Sequence, residues 1–352
     1  MRNKYDHMVE TVDIDENGDR LLIIDQTLLP GEIKVIGLKD IKDIREAIYL
    51  LKVRGAPAIG VAAAIGIYVV SKNSNINDRR DFDAKFRENA AYLNSARPTA
   101  VNLSRALERM EKVLEDNKDI EVCRLLEKLK EEALKIKEED TRMCRSIGEN
   151  ALGLLKKGDT LLTHCNAGQL ATSKYGTATA VMYLGKEKGY DFRIYCDETR
   201  PLLQGARLTA YELSCAGMDV TLCCDNMVAS LMRQGVIDAV FVGCDRVASN
   251  GDVANKIGTS VVATVAARYK VPFYVCAPSS TIDPDTATGD DIVIEQRPGA
   301  EVTDMWYEKR MAPDNIKVYN PAFDITDNEL ITAIITEKGI YRAPYFFGRE
   351  FI

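Results

Sequence analysis

GDTLLTHCNAG, residues Gly158–Gly168, is the stretch whose reading decides the fold. Gly158-Asp159 is a stop and turn signal that closes a long helical pattern, and TLLTHC after it is an apolar run of strand length. Four more runs of this kind follow, at Phe192–Asp197, Val220–Cys224, Ala239–Asp245 and Pro272–Ala277. Helical stretches lie between them at Thr177–Lys186, Ala206–Ala216 and Gly258–Tyr269. Apolar strands that alternate with helices need both faces covered, so this pattern predicts an α/β fold built on a doubly wound parallel sheet.

Upstream of Gly158 the pattern is mainly helical. After a strand-like stretch at Leu21–Leu29, residues Ile41, Ile44, Ile48 and Leu51 recur at helical spacing. Phe86–Leu93, Leu103–Met110 and Leu125–Leu134 keep the same period, and a helical pattern runs from Glu121 to Lys157. The expected organisation is a smaller, mainly helical N-terminal domain over residues 1–130 and the sheet domain over residues 131–352. The longest apolar run, APAIGVAAAIGIYVV at Ala56–Val70, is rich in small residues. It is shorter than the roughly 18–20 residues of a membrane span, and it reads as a buried helix.

Forty-six basic against 53 acidic residues give a net charge of -7, and the basic residues are spread along the chain. That distribution argues against nucleic acid, which needs a concentrated positive surface. Nine cysteines without a CxxC pair exclude a zinc ribbon or thioredoxin-type motif, and they read as reduced thiols of a cytoplasmic protein. Two histidines, His7 and His164, are too few for a multi-histidine metal site, and no metal is expected. Neither a Walker A loop nor a strand-borne GxGxxG is present, so no nucleotide cofactor is expected either.

In an open parallel sheet, ligands bind beyond the carboxyl ends of the strands. Thr160–Cys165 ends in His164-Cys165-Asn166, and Ala239–Asp245 ends in Asp245-Arg246 and a polar loop, so a thiol and a carboxyl are expected at one cleft. A helix starting soon after Cys165 would favour the thiolate. The apolar Phe241-Val242 flank would raise the Asp245 carboxyl and suit it to act as an acid. A strand-end cysteine is more often inert, and a strand-end aspartate more often a turn cap. Arg54-Gly55-Ala56-Pro57, Arg97-Pro98-Thr99 and Asn255-Lys256 each precede a predicted helix. Cations at helix N-termini oppose the dipole unless an anion joins them, and three such placements suggest a phosphate.

These residues fall in long motifs: VRGAPAIG (Val53–Gly60), RPTAVNL (Arg97–Leu103), LTHCNAG (Leu162–Gly168), DETRPLLQGARLTAYEL (Asp197–Leu213), GCDRVASNGDVANKIGT (Gly243–Thr259) and NPAFDIT (Asn320–Thr326). Through them nearly the whole chain resembles the methylthioribose-1-phosphate isomerase family, related to the regulatory subunits of translation initiation factor 2B. The resemblance implies a helical N-terminal domain and a Rossmann-like C-terminal domain, commonly a homodimer, with the active site between domains. It implies Cys165 as the catalytic cysteine and Asp245 as the proton donor. Arg54, Gly55, Ala56, Arg97, Gln204, Asn255 and Lys256 match positions that hold the sugar phosphate.

The chain departs from the family pattern at Cys244, where alanine is commoner, and at Gln296 and Pro298 within IEQRPGAEVT, where Glu-Glu-Arg is usual. The implied reaction turns 5-methylthioribose 1-phosphate into 5-methylthioribulose 1-phosphate, with Asp245 as acid and Cys165 as base or as stabiliser of a hydride shift. Isomerases of 5-deoxyribose 1-phosphate or ribose 1,5-bisphosphate are the near alternatives. A non-catalytic regulatory subunit of the same fold is the distant one.

Overall fold

The computed structural model describes residues 10–97 and 101–351, which fall into two compact units. The smaller consists of residues 10–142 with Gln169–Gly176, and the larger of Met143–Gly168 with residues 177–351. The Pro98-Thr99 part of the Arg97 motif lies outside the described residues.

The smaller unit opens with an antiparallel sheet of three short strands, β1 Val12–Ile14, β2 Leu21–Ile24 and β3 Val35–Leu38, in the order β1-β2-β3. The strand-like stretch that begins at Leu21 therefore stops at Ile24, and turns follow it. Five helices come next: α1 Ile41–Tyr49, α2 Ala56–Asn73, α3 Arg79–Asn94, α4 Val101–Asp116 and α5 Val122–Leu152, the last of which runs on into the larger unit. Asp40 and Asp78 start α1 and α3 as N-caps, accepting from the backbone N–H of Lys42 and Asp81.

Helix α2 is 18 residues long, more than its apolar run alone suggested, and by length and composition it could cross a membrane. It is instead buried on nearly every side in the core of the smaller unit. Its glycines explain the small-residue composition. A Cβ on Gly60 would lie 2.8 Å from the Asn102 carbonyl oxygen in α4, and one on Gly66 would lie 3.0 Å from Ile44 in α1. Helix backbones approach that closely only where a side chain is missing.

The larger unit runs β4 Thr160–Thr163, α6 Ala180–Glu187, β5 Arg193–Asp197, α7 Ala210–Cys215, β6 Asp219–Cys223, α8 Val228–Arg233 and β7 Ala239–Val242. Then come β8 Arg246–Ala248, β9 Val253–Lys256, α9 Thr259–Tyr269, β10 Phe273–Cys276, β11 Ile282–Asp283, α10 Ala300–Thr303, β12 Phe323–Thr326, β13 Ala333–Thr336 and β14 Gly339–Tyr341. Seven strands form the main sheet in the order β14-β13-β10-β7-β4-β5-β6, parallel except for β14. Numbered along the chain, its six parallel strands lie in the order 3-2-1-4-5-6 read from β6, so the direction of winding reverses between β4 and β7. This is the doubly wound, Rossmann-like α/β arrangement that the sequence pattern predicts. β4, β7, β10 and β13 are buried throughout.

A second sheet, β11-β8-β9-β12, corrects one expectation. The segment after Asp245 is not a loop but the β8–β9 hairpin, turning at Asn250-Gly251. Gly251 has φ +90°, and a Cβ there would lie 2.5 Å from the Tyr345 ring. Strands this short carry no readable alternation, so periodicity does not reveal them.

Candidate active site

Strands β4 and β7 pair in parallel, with Leu162 opposite Val240, so Cys165 and Asp245 both leave the carboxyl ends of the two strands that flank the winding reversal. Ligands collect at such a switch point because the loops there diverge and leave a crevice. The thiol and the carboxyl expected at one cleft are thus carried by adjacent strands.

Cys165 is buried and has φ +65°, in the left-handed region. For a residue with a Cβ that backbone costs about 1–3 kcal/mol and persists only where the surroundings over-determine it. Two hydroxyls do so. The Cys165 N–H donates to Thr199 Oγ1 at 2.8 Å, and Thr209 Oγ1 donates to the Cys165 carbonyl at 2.6 Å. Asp245 differs: its residue is exposed, so the apolar surroundings expected around its carboxyl are not found, and its backbone N–H donates to the Ala254 carbonyl. A single 3-10 turn, Gln169–Ala171, follows Cys165, and the expected helix begins at Ala180 as α6, its N-cap Thr179 donating its backbone N–H to the Ala167 carbonyl.

His164, next to the thiol, is fully buried, with Nδ1 3.0 Å from Asp197 Oδ2 and Nε2 2.9 Å from the Ile257 carbonyl. A carbonyl only accepts, so Nε2 carries a proton. Burial opposes the charge of the ring, but the bond to Asp197, the nearby Asp225 and the Ile257 carbonyl outweigh it and raise the imidazole. Burial raises the Asp197 carboxyl too, with His164 opposing the shift. The pair keeps a proton between its members, and it ties the end of β4 to the end of β5 and to the β9–α9 loop. Gly258, at φ +102°, is required beside it, since a Cβ there would lie 2.8 Å from the imidazole.

Of the expected phosphate-holding residues, three belong to the larger unit. Gln204 is buried, and among the described residues its Oε1 has no hydrogen-bond partner. A buried acceptor in that state costs about 1–3 kcal/mol, which a donor from a ligand would recover. Asn255 is buried and donates to Thr259 Oγ1 at 3.1 Å. Lys256 Nζ donates to the Ala322 carbonyl at 3.1 Å and lies 4.6 Å from the centroid of the Phe323 ring. The anion at the start of α9 is a side chain: Asp324 accepts from the N–H of Gly258 and of Ser260 and from the Ser260 hydroxyl. The N–H groups of Gly258 and Ser260 at the α9 N-terminus are thus met by a side chain.

Arg54, Gly55, Ala56 and Arg97 belong to the smaller unit. Gly55 precedes α2 with φ +90°, caps it with no side chain, and packs so tightly that a Cβ would lie 2.4 Å from the Ala171 carbonyl oxygen. The Gln169–Gly176 loop that carries Ala171 is tied into this unit at three points. The Gln169 and Leu170 carbonyls accept from Thr11 Oγ1 and Gln26 Nε2, and Asp140 accepts from the Ser173 N–H at 2.6 Å. Burial pushes the Asp140 carboxyl up to about 6 against the bonds from Ser173.

Sequence reasoning missed His164, Asp197, Thr199, Thr209 and Glu212 as parts of this site. Glu212 is fully buried, and a Cβ on Gly168 would overlap its carboxylate. All five lie inside the LTHCNAG and DETRPLLQGARLTAYEL motifs, whose density of polar residues in otherwise apolar surroundings was the available signal. His164, Asp197 and Asp225 lie close enough to bind a cation together. Their donor atoms are engaged, however, by one another, by the Ile257 carbonyl and by the N–H groups of Thr199 and Arg200. The departure at Gln296 and Pro298 sits against the NPAFDIT motif, where Gln296 bridges Pro321 and Asn320 Nδ2 donates to the Pro298 carbonyl. Cys244 is partly exposed.

Residues 52–343 match the model of the initiation factor 2 subunit family. The chain is 60% identical over 337 residues to a methylthioribose-1-phosphate isomerase of Symbiobacterium thermophilum, covering 96% of this chain and 94% of that protein. It is 54% identical, also over 337 residues, to a 5-deoxyribose 1-phosphate isomerase of Petrotoga mobilis, covering 96% and 97%. Among solved structures, a 5-methylthioribose 1-phosphate isomerase from Pyrococcus horikoshii OT3 is similar with TM-score 0.92 at 40% identity, covering 97% of this chain and 94% of that one. A structure described as the delta subunit of translation initiation factor eIF-2B from A. fulgidus has TM-score 0.89 at 42% identity, covering 96% and 97%.

Proposed function

The chain belongs to the initiation factor 2 subunit family and is an isomerase of sugar phosphates, and from that premise we propose that it converts 5-methylthioribose 1-phosphate to 5-methylthioribulose 1-phosphate. The observation that carries the reading is the pair Cys165 and Asp245 at the winding reversal of the sheet, the thiol gripped in a strained backbone.

The chemistry follows from the substrate. A phosphate on the anomeric oxygen locks the sugar as a ring, so ring opening must accompany isomerisation. Asp245, as the acid, gives a proton to the ring oxygen while Cys165, as the base, takes the proton from C2, and the bond between C1 and the ring oxygen breaks. The resulting enol phosphate becomes the ketone as Cys165 returns a proton to C1 and the Asp245 carboxylate takes one from the C2 hydroxyl. Both groups end as they began, so the cycle needs no redox cofactor.

Gln204 offers its unsatisfied carbonyl to a sugar hydroxyl. Arg54, Gly55, Ala56, Arg97, Asn255 and Lys256 are assigned to the sugar phosphate, and the reading carries with it a cytosolic homodimer. Against the regulatory-subunit alternative stands the presence of thiol and carboxyl together, which partner binding alone does not need. The C5 substituent is tested by turnover of 5-methylthioribose 1-phosphate, 5-deoxyribose 1-phosphate and ribose 1,5-bisphosphate on the purified protein. The highest kcat/KM is expected for the first, and preference for the bisphosphate would overturn the substrate assignment.

A further inference from the structure

We propose that Thr199 and Thr209 are positioning residues that hold Cys165 by the two peptide groups on either side of its Cα. The inference rests on the reading of Cys165 as the base of the reaction and adds the device that aims it. Both threonines are fully buried.

Each hydroxyl has one proton, and each is committed. Thr199 Oγ1 donates to the Asp197 carbonyl at 3.2 Å, so its lone pair receives the Cys165 N–H. Thr209 Oγ1 donates to the Cys165 carbonyl, and its lone pair receives Asn166 Nδ2 at 3.1 Å. The direction of both bonds is therefore fixed, and together they brace the left-handed backbone of Cys165 from opposite sides.

The elements that carry the hydroxyls are unusual in the same way as the residue they hold. Thr199 is β-branched and has φ +65°, a conformation such residues rarely adopt. Its N–H and that of Arg200 are anchored on the two oxygens of Asp225 at 2.7 Å each. Thr209 closes a π-helical turn, Gly205–Thr209, of a kind frequent at functional sites. That turn can form only with glycine at its start, because a Cβ on Gly205 would lie 1.7 Å from the Asp197 carbonyl oxygen. Gln204 precedes the same turn. The DETRPLLQGARLT stretch is thus a clamp that closes on Cys165 and carries Gln204 with it.

The test compares Thr199→Val and Thr209→Val with Thr199→Ser and Thr209→Ser, reading kcat, KM and the pH profile of Cys165 alkylation by iodoacetamide, resolved from the other cysteines by peptide mass. The valine variants are expected to lose about tenfold to a hundredfold in kcat with KM changed by less than about threefold. Their Cys165 alkylation rate should change by about fivefold or more, and serine should restore both. Where a valine variant does not fold, alanine takes its place. Near-wild-type kcat and alkylation in folded valine or alanine variants would overturn the proposal, as would failure of both to fold while serine folds, since the hydroxyls would then serve the fold alone. If the wild-type protein turns over none of the sugars, the catalytic reading fails, and the alkylation profiles still decide the clamp on their own.

Discussion

The two strand ends at the winding reversal carry the proposed catalytic pair, and they are built to opposite plans. Cys165 is buried, strained at φ +65°, and held through both of its peptide groups. Asp245 is exposed and leads straight into the β8–β9 hairpin. The contrast suits the division of labour. A group that removes a proton from carbon gains most from a fixed approach, whereas a group that protonates oxygen has more directions from which to do so.

The largest test of this contrast is to remove each group. Asp245→Asn is expected to lower kcat by about 10²–10⁴-fold while leaving the melting temperature unchanged, because the residue is exposed. Cys165→Ala should lower kcat as far, and it should also move the melting temperature, since a buried and tethered residue is altered. Equal thermal behaviour of the two variants would break the comparison. Next in size is Gly258→Ala, which forces a Cβ against the His164 imidazole at φ +102°. A loss of about 4 kcal/mol in denaturant unfolding is expected from strain and overpacking together. A neutral result would show that the Cys165 end is softer than its contacts imply.

The smallest effect concerns the loop that continues from Cys165. Folded Asp140 has its carboxyl at about 6 against an ordinary 3.8. Between those values the folded state holds more protons than the unfolded one, so this group's contribution to stability falls as pH rises and its full cost, about 3 kcal/mol, is reached above pH 6. Asp140→Asn, which keeps an acceptor for the Ser173 N–H, should lack that slope and gain on the wild type at neutral pH. Unfolding curves at pH 4.5 and 7.5 measure it.

Much of this was legible in the sequence. The five apolar runs from Thr160 to Ala277 all became strands of one sheet, and Ala56–Val70 became the buried helix α2, because strand and helix periodicities survive wherever an element is long and well covered. The four-stranded second sheet was illegible, since its strands have two to four residues and obtain their pairing from distant segments such as Phe323–Thr326. Cys165 and Asp245 could be picked out as strand ends, but their unlike surroundings could not. The threonine clamp depends on a left-handed residue and a π-helical turn, neither of which has a signature in residue type. Asp324, 68 positions after Lys256, accepts from the backbone N–H groups at the start of α9, a pairing that no local spacing announces.

The central claim, that the thiol and the carboxyl move protons, is tested most directly with 5-methylthioribose 1-phosphate deuterated at C2 and turned over in ordinary water. Transfer through Cys165 predicts ketose with part of its deuterium at C1 replaced by solvent hydrogen. Complete retention of the label at C1 would contradict proton transfer through a group that exchanges with solvent and would favour a direct hydride shift.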